Sequence, residues 1–421
     1  MARSRLHHSL LATMGVLLLA GGEAALAAPQ KPAARAESVG AVPFILDAQR
    51  ILLTVQVETP DGRSRAVLAW FNMGMPAPVL AKPLYRDLGI GDGRPLTIRL
   101  GTAVLTAAPA TVVDGDGKID GESEFQHYFA PHPVELVLPA ALFRERIVTI
   151  DYGRRTLAVA EAGTIRPEGE AVPFALNPET GFAVIKAGIG GGLHSFVLDA
   201  GSGYTWVRGE VLERWLAAHP DWHRATGAVG QSNNAMVDFD FEKKGVVARI
   251  PALTLGAVTL ERIGILGTAP LLGRIGDTLL GNLFWDNWQK AATEPVVGWI
   301  GGNVLKQFRV TLDYPARTVF LKRVAPADAH DLDQIPVTLV RRGSRTYVGG
   351  LVAPAQRSAE VGEPDLKVGD EILSVDGMPV PGATKQAVLS ALHGMPGAVR
   401  RVVVDRNGTQ VEARAIVAAF D

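Results

Sequence analysis

The chain reads as a mainly β protein built from two homologous β lobes, with a smaller α+β module at its carboxy terminus. Three observations carry that reading. Composition is the first: 46 Gly and 27 Pro among 421 residues, with 47% hydrophobic side chains, favour many strands and turns over long helices. The second is an internal duplication. AWFNMGMPAPVL around Asn72 aligns with FVLDAGSGYTWV around Asp199, IRLGTAVLTAA with LTLGAVTLERI, and RIVTIDYGRRTLAV with FRVTLDYPARTVFL, in the same order in both halves. The third is a change of pattern from about residue 335, where the duplication ends and new turn signals begin.

The elements follow in order. Arg3 and Arg5 precede the apolar run LLATMGVLLLA, and Ala25-Leu26-Ala27 supplies a small-x-small cleavage pattern, so residues 1–27 read as a signal peptide. The apolar run is too short for a lasting anchor, and no later segment is long and apolar enough. The expectation is therefore a protein without a membrane span after signal removal, in the periplasm or secreted. Zero cysteines exclude a disulfide framework and a thiol nucleophile. With 42 basic and 43 acidic residues, the charge balance gives no reason to expect nucleic acid as a partner.

Residues 28–43 read as a linker, 44–163 as the first lobe and 171–325 as the second, whose larger offsets imply insertions, chiefly over 261–296. A helix is predicted after each motif loop. Leu84, Tyr85 and Leu88 form one apolar face behind Pro83, and Val211, Leu212, Trp215 and Leu216 form the other. The last module, 335–419, holds the strand YVGGLVAPAQ, then LKVGDEILSVDGMPV turning at Asp376-Gly377. A helix capped by Thr384 carries Val388, Ala391 and Leu392 inward, and a closing hairpin turns on Asn407-Gly408.

Chemistry concentrates at Asp199. An apolar strand delivers it to a tight loop with Gly201, Ser202 and Gly203, where glycine lets backbone amides approach a carboxylate. The first copy keeps Gly74 but has Asn72 in the place of the acid. On these motifs the two lobes resemble the retropepsin-like aspartic proteases of exported bacterial proteins, which often carry a PDZ domain. The last module resembles a PDZ domain in LKVGDEILSVDGMPV and VVVDRNGTQVEARAIV. The resemblance implies that each lobe gives one Asp in an Asp-Thr/Ser-Gly motif and that a later apolar-apolar-Gly segment completes the loop.

The second lobe matches that pattern at Asp199, Gly201, Ser202 and Trp299-Ile300-Gly301, and departs at Ala200. The first lobe departs at Asn72, Met73 and Met75, and at Val137-Leu138-Pro139. Two close carboxylates share a proton and divide acid and base roles, whereas an amide donates a hydrogen bond but exchanges no proton at workable cost. General acid–base assistance is worth roughly 10²–10⁴-fold in rate, so the enzyme class, an aspartic-type endopeptidase, comes with a damaged dyad. Three readings stay open: cleavage by Asp199 with Asn72, a homodimer that brings two copies of Asp199 together, and peptide binding in the interlobe cleft without hydrolysis.

Other motifs read blandly. VDGDGKIDGES lacks the first acid and the bidentate Glu of a calcium loop, and GIGGGL sits between strands as a hairpin turn. His127, His132, His219 and His223 show no metal spacing, so neither a metal nor another cofactor is expected. Trp285, Trp288 and Trp299 read as packing residues. In the PDZ-like module, a peptide is expected to add to the strand near Tyr347, Val348 and Gly349, facing Val388 on the helix. Arg341, Arg342 and Arg345 are candidates for a terminal carboxylate.

Overall fold

The computed structural model describes residues 40–58, 61–89, 95–107, 111–113, 128–270, 283–354 and 365–420. The segment read as a signal peptide, most of the linker, the acidic run from 114 and His127 lie outside them. Strands dominate the described residues, in sheets of 13, 9 and 6 strands.

The halves join through antiparallel pairing of strand Arg146–Asp151 with Phe308–Asp313, in which Thr149 lies opposite Thr311. These threonines are equivalents in the duplication, 162 residues apart (311 − 149). Antiparallel pairing of a residue with its own copy is what a local two-fold axis requires. Their hydroxyls meet at 3.2 Å. Outward from this pair the order repeats on each side. Thr156–Glu161 and then Val42–Asp47 extend the first half, and Thr318–Arg323 and then Glu170–Pro173 extend the second. Both halves thus share one sheet, and one apolar core runs through them from Phe44 to Leu321.

Each motif strand is clamped on both sides. Ser64–Asn72 pairs with Arg50–Glu58 and, in parallel, with Val134–Pro139. Gly192–Leu198 pairs with Ala183–Ile189 and, in parallel, with Gly298–Ile300. The helices lie where the apolar spacing puts them. Lys82–Leu88 carries Pro83 in its first turn and buries Leu84 and Leu88, while Gly209–Ala218 buries Val211, Leu212, Trp215 and Leu216.

A two-residue turn joins Val42–Asp47 to Arg50–Glu58. Ala48 and Gln49 both take left-handed φ, 48° and 64°, where glycine is the usual occupant. The second lobe holds them there. A Cβ on Gly203 would lie 2.1 Å from the Ala48 carbonyl oxygen, and one on Gly302 would lie 2.9 Å from Gln49 Cβ.

The third sheet runs in the order Val337–Arg342, Arg345–Leu351, Glu371–Val375, Val399–Arg406, Thr409–Ile416. Thr384 caps helix Lys385–Leu392 by accepting from Ala387 N at 3.1 Å, and Val388, Leu389 and Leu392 are buried beneath it. This sheet is fastened to both lobes. Ala353 and Pro354 pair with Thr226 and Ala225 of the second lobe, and Gln386 N donates to Asp47 Oδ1 of the first at 2.8 Å. No helix among the described residues is long and apolar enough to cross a membrane.

Candidate functional site

The two motif loops emerge side by side from the ends of their strands. Gly74 N donates at 2.9 Å to Asn72 Oδ1 in its own loop and at 2.9 Å to Asp199 Oδ1 across the lobe boundary. Gly201 N donates to the same Asp199 oxygen at 2.8 Å. The crossing is reciprocal. A Cβ on Gly74 would come within 2.5 Å of Asp199 Oδ2, and one on Gly201 within 2.4 Å of Asn72 Cα. Each glycine therefore lies against the other lobe's residue at the acid position, and only a residue without a side chain fits there. Asn72, Gly74, Asp199 and Gly201 are brought together at one point. Ser202 is beside them, but its hydroxyl donates to Tyr204 O within its own loop at 2.6 Å.

The positions where the resemblance implies Thr or Ser are apolar here, and a residue outside the motif links the two loops. Met73 and Ala200 are both buried in the common core. Trp70 Nε1 reaches across to Gly201 O at 3.2 Å, a further bond across the lobe boundary beside the one from Gly74. A signal for it existed, because Trp70 stands two residues before Asn72 and so shares its face of the strand. On the second side Asn303 fastens the loop: its Oδ1 accepts from Thr205 N at 2.9 Å and Thr205 Oγ1 at 2.8 Å, and that hydroxyl oxygen accepts from Gly301 N at 3.1 Å.

Asp199 is 4% exposed, and burial pushes its pKa up from 3.8 to about 6, against the opposing pull of backbone amides at Gly201, Gly74, Ser202 and Met73. Tyr152 and Tyr314, equivalents in the duplication, are buried close enough for this charge to add to the burial that raises both phenols. Asp199 thus passes from acid to base near neutrality, beside an amide that holds no exchangeable proton for it.

A cavity of about 260 Å³ opens over this pair. Trp70, Tyr128 and Phe129 line its first-lobe side, with Arg50; Trp206, Phe241, Trp288 and Trp299 line the second. Trp288 and Trp299 are thus cleft residues as well as packing residues, while Trp285 is buried, its Nε1 donating to Thr268 Oγ1 at 3.1 Å. Asn234, Ala235 and Val237 complete the second wall. Their segment is organised by Glu242, which is fully buried and accepts from Ala235 N at 2.9 Å, Met236 N at 2.7 Å and Asn233 Nδ2 at 2.9 Å. The other side of this segment rests on the third sheet: Leu339 N donates to Asn233 Oδ1 at 2.5 Å, Arg341 N to Met236 O at 2.7 Å, and the buried Lys385 ammonium to Ala235 O.

The residues expected to take a peptide in the last module are placed differently from that expectation. Val348 and Val388 are wholly buried in one cluster, so neither offers a contact surface. Tyr347 lies in a strand already paired on both sides, with Val340 and with Glu371, so no open edge remains there for an added strand. Gly349 packs against Val340, where a Cβ would come within 2.3 Å of its side chain. The arginines are engaged as well. Arg341 is fully buried and donates to Gly343 O and Ala383 O, Arg342 pairs with Asp238, and Arg345 pairs with Glu371.

No family model and no curated protein matches this chain. Among solved structures it is similar to the aspartic proteinase from Irpex lacteus, at 12% identity and a TM-score of 0.37. That alignment covers 70% of this chain and 100% of the proteinase.

Proposed function

We propose that this chain is an exported aspartic-peptidase homologue, with a PDZ-type last module, that binds peptide in the interlobe cleft and hydrolyses it poorly. The observation that carries the reading is the single amide of Gly74 shared between Asn72 Oδ1 and Asp199 Oδ1. On this reading an amide and a carboxylate stand where an acid protease needs two carboxylates. Asp199, ionised above about pH 6, still serves as a base toward water. The acid that must protonate the leaving amine is missing, and Asn72 supplies at most a hydrogen bond.

Slow hydrolysis by Asp199 alone has a distinct signature. Its rate rises as pH passes through about 6, the reverse of a carboxylate pair sharing a proton. Pairing of two second lobes is disfavoured, since Gly74 of the same chain already occupies the face of Asp199. Incubation with a peptide library from pH 3 to 7, read by mass spectrometry with Asp199→Ala as control, separates the outcomes. Little or no product at any pH is expected. Rapid cleavage at acidic pH that disappears in the control would overturn the reading.

A further inference from the structure

We infer that the cleft anchors its ligand through a positively charged lysine side chain, with the ammonium seated between the aromatic walls and Asp199. This rests on the peptide-binding reading above and adds to it the chemistry of the anchor.

Asp199 is a buried carboxylate whose hydrogen bonds come from backbone amides. Among the described residues no Lys, Arg or His forms an ion pair with it. A desolvated carboxylate without a counter-ion is costly, and a ligand cation relieves that cost where a neutral ligand increases it. The walls suit a cation as well. Trp70 packs on Phe129 at 5.1 Å, Trp206 on Phe241 at 4.7 Å, and Trp288 edge-to-face on Trp299 at 5.2 Å, so the rings are held in fixed orientations. Ring faces attract ammonium groups.

The cleft already houses one such contact. The Arg50 guanidinium lies 4.9 Å from the Phe129 ring centre, with Asp47 at 3.6 Å as its own counter-ion. Arg50 thus has an acid partner of its own, and it is not among the largest influences on Asp199. Asn72, Tyr152 and Tyr314 stand close to Asp199 and are neutral near pH 7, while Arg50 is the charged group that lines the same cavity. A cavity of about 260 Å³ exceeds the volume of one lysine side chain, leaving space for flanking backbone.

Two peptides of matched shape test this: acetyl-Ala-Lys-Ala-amide, and the same peptide with norleucine in place of lysine, titrated calorimetrically into the protein at pH 5 and pH 7.5. At pH 7.5 the lysine peptide should bind about tenfold tighter or more. Its advantage should shrink at pH 5, where Asp199 takes up a proton. Asp199→Asn, which keeps an acceptor for Gly74 and Gly201, should abolish the advantage, so that the lysine and norleucine peptides bind alike. Equal or better binding of the norleucine peptide by the unaltered protein at pH 7.5 overturns the lysine inference and leaves the cleft reading standing. Binding of neither peptide overturns both.

Discussion

Asp199 sets the character of the site through its burial. Its pKa is raised from 3.8 to about 6, so the folded protein prefers the neutral acid. For a raised carboxylate the penalty is absent below about pH 4, grows as pH rises, and is complete above about pH 6. The unaltered protein should therefore lose stability across that window. Asp199→Asn should not, and at pH 7 it should be more stable by up to about 3 kcal/mol. Thermal melts of both proteins from pH 4 to 7.5 check this, and parallel curves would contradict it. The positions of Asn72 and Asp199 were legible because an apolar strand leading to a glycine-bearing loop is a local pattern. Trp70 was legible in principle from alternation along the same strand. Arg50 was not, since its place in the cleft depends on a turn whose residues, Ala48 and Gln49, carry no turn signature yet take left-handed φ.

At the scale of elements, the second wall of the cleft is a segment with little regular structure and much buried polarity. The run QSNNAMVDFDFEK is rich in polar residues, yet Asn233 and Glu242 are buried and fully engaged. Nothing in its spacing discloses this, because its bonds reach Leu339, 106 residues away. Glu242→Gln replaces one of two acceptor oxygens with a donor facing N–H groups, which should cost on the order of 1–3 kcal/mol. Hydrogen exchange should then accelerate at the amides of Ala235 and Met236, and affinity for cleft ligands should fall with it. Unchanged protection at those amides would show that the carboxylate does not organise the wall. Of the residues expected to capture peptide in the last module, Val348 and Val388 are core, and the strand is paired on both sides at Tyr347. Alternation identified those residues as strand and helix, but it does not reveal which edges the rest of the chain covers.

Over the whole molecule the duplication is the organising fact, and it was the most legible one. The offset of 162 between Thr149 and Thr311 in sequence becomes a pairing of equivalents in space, and from that pairing a shared sheet and a cleft between the motif loops follow. The sequence did not disclose that the third sheet would be fastened to both lobes and to the back of the cleft wall, because those contacts are one short strand pairing and scattered single bonds between distant residues.

The proposed cleft keeps a base in Asp199 and has an amide, Asn72, in the place of its partner acid. Asn72→Asp restores that acid, and cleavage of a peptide library by this variant near pH 4–5 is the most direct measurement. Activity that appears with the substitution, peaks in acid and vanishes when Asp199→Ala is added is the predicted result. A folded Asn72→Asp protein that binds peptide in the cleft yet cleaves nothing across that range would contradict it.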